Sequence, residues 1–238
     1  MRILFMHHFP LRHSQAGPWV QRWRLALAAA GHESRGLVVD SDANKGSSES
    51  KGDALDSVRI TCRPGDPAAD LPFEMPCFSA PPPVTTSLTF AALSDPQLAQ
   101  YRERTRRCLD ALIETFDPHV IHAQHIWVQG QLALETGVPY LLNAWGPELI
   151  DYSSDERYRR LADQAAENAG RILVPNPTLL EQVVTMFDAV AERSQVMPPG
   201  LHLSESASAA EQVQAAAELL ALYQNVLAER FGDQQAGG

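Results

Sequence analysis

Short apolar runs alternate along the chain with longer stretches whose hydrophobic residues recur at helical spacing. The short runs are residues 2–6, 34–39, 58–62, 120–122, 140–144, 171–174 and 195–197, bounded by glycine, proline or polar residues. Runs this short and this continuous predict strands buried in a parallel sheet. The stretches between them predict helices. Residues 18–30 place Val20, Trp23, Leu27 and Ala30 on one face, with Pro18 in the first turn and Gly31 just past the end. Ser94-Asp95-Pro96-Gln97 is a capping start for a helix running to about Phe116, with Leu98, Tyr101, Thr105, Leu109, Leu112 and Phe116 inward. Residues 127–136, 155–168 and 177–188 predict three more, the second with Tyr158, Leu161 and Ala165 inward. A final amphipathic helix over 212–232 carries the stripe Ala216, Leu220, Tyr223 and Leu227, and residues 204–211 are a Ser/Ala/Glu linker before it. Strand and helix in strict alternation predict an α/β fold: one Rossmann-like, doubly wound parallel sheet with helices on both faces, and the last helix packed back on it.

Two segments break the alternation. Residues 40–56 are rich in Ser, Gly, Asp and Lys and predict a mobile loop. Residues 63–83 contain seven prolines, which excludes regular structure. Phe73, Met75 and Phe78 within them predict a segment packed on the surface, either an acceptor-contacting loop or a decoration of the fold.

In an open parallel sheet the ligand crevice lies beyond the carboxyl ends of the strands. Polar and aromatic residues crowd two of those ends: His122, Gln124 and His125 after one run, and Asn143, Trp145 and Glu148 after the other. His8 and Gly17 occupy the equivalent position after the first strand. A glycine at a helix N-terminus lets an anion or a sugar hydroxyl approach the backbone, or simply permits the turn. Trp145 is either a stacking platform for a sugar face or a core aromatic.

Composition narrows the chemistry. The chain has 238 residues, 45% of them hydrophobic and 20% charged, enough for one sizeable core. A net charge of -10 argues against nucleic acid, which needs a basic face to neutralise phosphates. The arginines Arg102, Arg104, Arg106 and Arg107 form a local basic cluster, either a solvated helix face or a contact for an anionic lipid surface. Three cysteines without a CxxC spacing supply neither a disulfide framework nor a zinc knuckle and fit a reducing cytoplasm. No apolar run reaches the length of a signal-peptide core or a membrane span, so a soluble cytoplasmic protein is the expectation. His7, His8, His122 and His125 follow two strands that could be neighbours, but their spacing matches no known ligand set and no metal is expected. Glycine-rich dinucleotide fingerprint, P-loop and GxSxG elbow are all missing from the sequence.

The segments MRILFMHHFP, GPWVQRWRLALAAAGHE, DPHVIHAQHIW, VPYLLNAWGPEL, AGRILVPNPTLLEQV and QVMPPGLHL, in this order over residues 1–203, resemble the N-terminal domain of family 4 glycosyltransferases of the GT-B fold. The resemblance implies an acceptor-holding domain. In that family a second, C-terminal domain binds the nucleotide-sugar, and transfer proceeds with retention in the cleft between them. The segment AAELLALYQNVLAERFG resembles the terminal helix that returns to the first domain in such proteins. Two departures matter. Only a dozen or so residues separate QVMPPGLHL from that helix, where the family has a whole domain, so the glutamate pair that the family uses on the donor is missing here. Where the family often has His-x-His, this chain has His122-Ala123-Gln124, and Gln124 can hydrogen-bond a sugar hydroxyl but cannot carry a proton. Trp145 to Glu148 resembles a Trp-Gly-x-acid variant of a family motif.

The resemblance therefore implies the acceptor-binding half of a retaining sugar transferase, with His8, Gly17, Gln124, His125, Asn143, Trp145 and Glu148 as acceptor-binding residues and no catalytic residue assigned. It implies no cofactor of its own, a nucleotide-sugar only together with a donor-binding partner subunit, and a sugar or glycan acceptor, with no need of a membrane surface. The alternative is a non-catalytic carbohydrate-binding or regulatory module that keeps the scaffold without the chemistry.

Overall fold

The computed structural model describes residues 1–8, 17–40, 56–78 and 88–236, with side chains to residue 229. Seven parallel strands lie in the order β3-β2-β1-β4-β5-β6-β7: β1 Arg2–His8, β2 Glu33–Asp40, β3 Ser57–Thr61, β4 Val120–Gln124, β5 Tyr140–Asn143, β6 Arg171–Val174 and β7 Ser194–Val196. The order reverses at β1, so β1 and β4 flank the point where a doubly wound sheet opens a crevice at its carboxyl edge.

Side chains alternate across this sheet, and each face has its own core. Leu4, Met6, Ile121, Ala123 and Leu142 face α2 (Asp95–Phe116), α3 (Gln129–Thr136) and α5 (Glu156–Glu167). Ile3, Phe5, Val120, Leu141 and Leu173 face α1 (Gly17–Ala29) and α7 (Ala209–Ala236). Helices α4 (Pro147–Ser154) and α6 (Pro177–Met186) complete the first layer. The doubly wound α/β architecture expected from the alternation is the one observed.

Helix α2 starts as its sequence predicts. The Ser94 side chain accepts from the Gln97 N–H while Gln97 reaches back to the Ser94 backbone, and the helix ends at Asp117 in a left-handed cap. Its basic cluster is neutralised in place. Arg102 pairs with Glu135, Arg104 with Asp70, Arg106 with Asp110 and Glu135, and Arg107 with Glu103. These pairs fit the solvated, ion-paired face expected as one of the two readings of the cluster.

Several expectations need correction. The proline-rich segment is core material where it is described. Leu71, Phe73 and Phe78 are buried, and backbone bonds from Leu71 N–H to Thr61 and from Arg63 N–H to Leu71 sew the segment to β3. The rest of that segment, and the mobile loop expected over 40–56 except at its two ends, lie outside the described residues. Ala30 is exposed, whereas the guanidinium of Arg24 is buried and bonded to Ser34, Ser57 and the Asp56 carbonyl. Helix α4 has no counterpart in the sequence reading: it is entered through Gly146 at φ 108, and it buries Glu148 and Asp151, which breaks the apolar pattern.

The C-terminal helix begins at Ala209, inside the stretch expected to be a linker. Its buried seam is Ala215, Ala216, Leu219, Leu222, Tyr223 and Val226, packed on Val20, Trp23 and Leu27 of α1 and on the sheet. Leu220 and Leu227, expected inward, are half-buried on the flank. The contact is close because Gly170 has no Cβ: one placed there would meet Val226 Cγ1 at 2.8 Å. A bidentate pair between Arg171 and Glu229 closes the far end.

Candidate functional site

The strands run further than their apolar stretches suggest. β1 continues to His8 and β4 to Gln124, so His7, His8 and Gln124 are strand residues like His122 and not loop residues. They are fully buried, together with Asn143 and Glu148. Of the seven residues expected to bind an acceptor, six lie at the carboxyl ends of the adjacent strands β1, β4 and β5. The seventh, Gly17, is buried at the start of α1, after residues 9–16, which lie outside the described set. The sheet then divides the six between its two faces.

His8 and His125 lie on the α2–α3 side. The Nε2–H of His8 donates to the Pro76 carbonyl at 2.5 Å, which leaves Nδ1 to accept from the Tyr101 hydroxyl at 2.7 Å. Burial pushes the His8 pKa down to about 3; the Pro76 bond resists this and nearby His125 adds to it. His8 is thus a neutral tether that ties the proline-rich segment to α2. His125 has φ 145, a region that non-glycine residues rarely enter, and Phe78 covers its ring at 4.4 Å between centroids. Its Nδ1 lies 3.4 Å from Glu148 Oε1, which also accepts the Trp145 N–H at 2.9 Å. Burial works to raise the Glu148 pKa, but His125 and the backbone N–H groups of Trp145 and Glu148 prevail and hold it below 4.5. Glu148 therefore stays ionised, bracing the α4 entry against His125, and its Oε2 has no partner among the described residues.

His122, Gln124 and Asn143 occupy the other face, under α1 and α7. The His122 ring stacks on Trp23 with an interplanar angle of 8°. Its Nε2 meets Asn143 Oδ1 at 2.8 Å and its Nδ1 meets the Tyr223 hydroxyl of α7 at 3.0 Å. Burial lowers the His122 pKa to about 4 against the Asn143 bond, so this histidine is neutral too. The four-histidine metal set considered in the sequence is split by this arrangement. Among the described residues no group of three His, Cys, Asp or Glu could hold a metal ion.

Gln124 differs from its neighbours. It has no exposed surface, yet neither its Oε1 nor its Nε2 has a hydrogen-bond partner among the described residues. A buried amide left this way costs about 1–3 kcal/mol, which a ligand group could recover. Trp145 stands two residues beyond Asn143, the register partner of Gln124. It is half-buried, and its Nε1 is likewise unpartnered. Its ring lies 5.4 Å from that of Trp19, which in turn lies 4.9 Å from His202. Trp19 and His202 were not singled out in the sequence, because nothing in their spacing brings α1 and the turn Pro199–Leu201 together. Trp23 Nε1 donating to the Leu201 carbonyl, and Arg22 to Leu203, do so in the fold.

No helix among the described residues is long and apolar enough to cross a membrane. Cys62, Cys77 and Cys108 form no disulfide among the described residues.

Comparison with solved structures gives the same fold. A sucrose-phosphate synthase chain from Thermosynechococcus elongatus matches with TM-score 0.55 and 15% identity over 95% of this chain and 99% of that one. A longer chain of the same enzyme matches with TM-score 0.51 and 14% identity, over 83% of this chain and 48% of that one. The UDP-GlcNAc 2-epimerase of Neisseria meningitidis, bound to UDP-GlcNAc, matches with TM-score 0.51 and 8% identity, over 98% of this chain and 54% of that one. The chain thus spans about half the length of the two longer proteins. Comparison with curated protein sequences gives no match. A family model described as a glycosyl transferase 4-like domain matches residues 16–200, more than half of the chain. With the parallel sheet, its strand order and the polar carboxyl edge, this match identifies the chain as a member of the glycosyl transferase 4-like domain family.

Proposed function

We propose that this chain is the acceptor-binding half of a retaining sugar transfer, acting with a separately supplied domain that binds the nucleotide-sugar. The observation that carries the reading is Gln124, a fully buried amide at the carboxyl edge of the sheet with neither end hydrogen-bonded among the described residues, in a glycosyl transferase 4-like domain. A sugar hydroxyl donates and accepts at once, so one hydroxyl or two neighbouring ones can satisfy both ends of that amide. Trp145 and Trp19 beside it offer ring faces for the apolar side of a sugar. Acceptor binding is assigned to Gln124 and Trp145, with Gly17 at the α1 entry; Glu148, beside His125 on the other face, holds the Trp145 backbone N–H in place. His8 and Asn143, proposed as contacts from the sequence, act through the architecture because internal bonds engage them. The resemblance is what supports a donor-binding partner; the chain spans about half the length of the longer sucrose-phosphate synthase chain it matches. Three cysteines without a disulfide among the described residues fit a reducing cytoplasm.

The second reading is a carbohydrate-binding or regulatory module without chemistry. It is favoured by the same engagement of His8 and His122, which leaves neither to carry a proton. One set of measurements separates the readings. Calorimetry of the chain alone with UDP- and GDP-sugars should give dissociation constants no tighter than about 1 mM, or about -4 kcal/mol. Micromolar affinity would overturn the need for a donor partner. Pull-down from the native host should recover a donor-binding protein that turns over a nucleotide-sugar only in this chain's presence; an inert mixture supports the binding module. Gln124→Ala should keep the folded structure, read by circular dichroism, and weaken acceptor binding about tenfold, the worth of one good hydrogen bond. Unchanged acceptor affinity would remove Gln124 from the site.

A further inference from the structure

Why the Gln124 amide stands open is a question that its neighbours answer. Asn143 is its register partner on β5, so the two side chains leave the sheet on the same face. Two buried amides side by side would ordinarily bond to each other. They do not: Asn143 is held from both ends, and these two bonds fix the direction in which its amide points. Its Nδ2 donates to Met197 Sδ at 3.7 Å, and its Oδ1 faces His122 Nε2 at 2.8 Å.

The proton placement in this row has one solution. A thioether sulfur only accepts, so the Asn143 NH2 faces Met197 and the carbonyl oxygen faces His122. His122 must then carry its proton on Nε2 and, being neutral, presents a bare Nδ1. The Tyr223 hydroxyl donates to that nitrogen. The chain Tyr223–His122–Asn143–Met197 therefore runs in one direction across the sheet, from α7 through β4 and β5 to the residue after β7. All four side chains are buried.

We infer that Met197 is a positioning residue: its sulfur holds the Asn143 amide turned away from Gln124 and so keeps the Gln124 amide open for a ligand hydroxyl. The inference rests on the proposed acceptor site, and it adds that this site depends on a side chain that touches no ligand. Met197 follows β7 and precedes Pro198-Pro199, so a shift of that turn reaches Gln124 through a single amide.

The test is Met197→Leu, a volume-conserving swap that buried cores tolerate and that removes only the acceptor. The freed Asn143 N–H then turns to Gln124 Oε1. Side-chain amide spectra of protein labelled with 15N at Asn and Gln should show the Gln124 and Asn143 NH2 pairs moving in the variant without any sugar. Titration with maltose, the probe sugar, should shift the wild-type Gln124 pair, and the affinity should fall about tenfold in the variant. Restoring the opening by adding Asn143→Ala to Met197→Leu should return the Gln124 pair to its wild-type position.

Amide pairs and maltose affinity unchanged in Met197→Leu would overturn the inference. Should the variant not fold, the wild-type protein still decides. Nuclear Overhauser contacts from the Asn143 NH2 to the Met197 methyl support the inference, and their absence overturns it. Maltose leaving the wild-type Gln124 pair unmoved counts against the acceptor site for this sugar, while the amide shifts in Met197→Leu still decide the role of Met197.

Discussion

The docking of α7 can be tested residue by residue, because adjacent leucines on it differ in burial. Leu219 has no exposed surface and packs between α1 and the sheet, whereas Leu220 is half-buried on the flank. Leu219→Ala removes buried methyl groups and leaves a cavity that rigid neighbours such as Trp23 and Phe5 cannot fill. Such substitutions cost about 2–5 kcal/mol. In a domain of this size each kcal/mol lowers the melting temperature by about 2–4 °C, so a fall of roughly 4–20 °C is expected. Leu220→Ala should cost about 1 kcal/mol or less, as partly exposed substitutions do. Circular dichroism melts and urea midpoints of the two variants, at one protein concentration, give the comparison. If Leu220→Ala costs as much as Leu219→Ala, the helix is rotated and its seam is Ala216, Leu220, Tyr223 and Leu227 instead. Deleting residues after Leu203 removes Leu219, Leu222, Tyr223 and Val226 together. At about 1.5–3 kcal/mol each, their burial is comparable with the whole stability of a domain, about 5–15 kcal/mol. The truncated chain should aggregate, and a truncated chain that melts where the full chain does would refute the docked seam.

Acid should destabilise the protein well before its carboxylates protonate. His122 and His8 stay neutral in the fold, with pKa values of about 4 and about 3, but take up protons near pH 6.5 once unfolded. The unfolded state therefore binds more protons, and stability falls as pH drops below 6.5, levelling off for His122 near pH 4. His122 alone, over 2.5 units, contributes a loss of about 3 kcal/mol at pH 4, and His8 adds in the same direction. Urea midpoints at pH 7, 5.5 and 4 should follow this slope, and a flat profile would overturn the neutral assignments. Gly170→Ala places a methyl group against Val226 and should force α7 outward, costing about 1–3 kcal/mol. An unchanged melting temperature in that variant would mean that α7 does not approach β6 so closely.

The sequence by itself determined the sheet, the order of its elements and the edge where chemistry gathers. Continuous apolar runs such as those in β1 and β4 have one stable home, the interior of a parallel sheet, and Ser94 and Gln97 announce a helix by local bonds alone. These signals are short-range, so they survive without the fold. The use of each polar residue at that edge was decided by the tertiary structure. His8 read as a ligand contact until Pro76 and Tyr101, distant in sequence, were brought against it. Asn143 likewise is engaged by His122 and Met197, and the α7 seam is set by the shape of the groove between α1 and the sheet, which shifts it from Leu220 to Leu219. Helix α4 was hidden because its inward face carries Glu148 and Asp151, residues that a hydrophobic pattern assigns to solvent. Strand alternation then separated His8 and His125 from His122 and Gln124. A spacing along the chain indicates that side chains are near one sheet edge, but only packing on both faces decides which of them keeps a free hydrogen-bonding group.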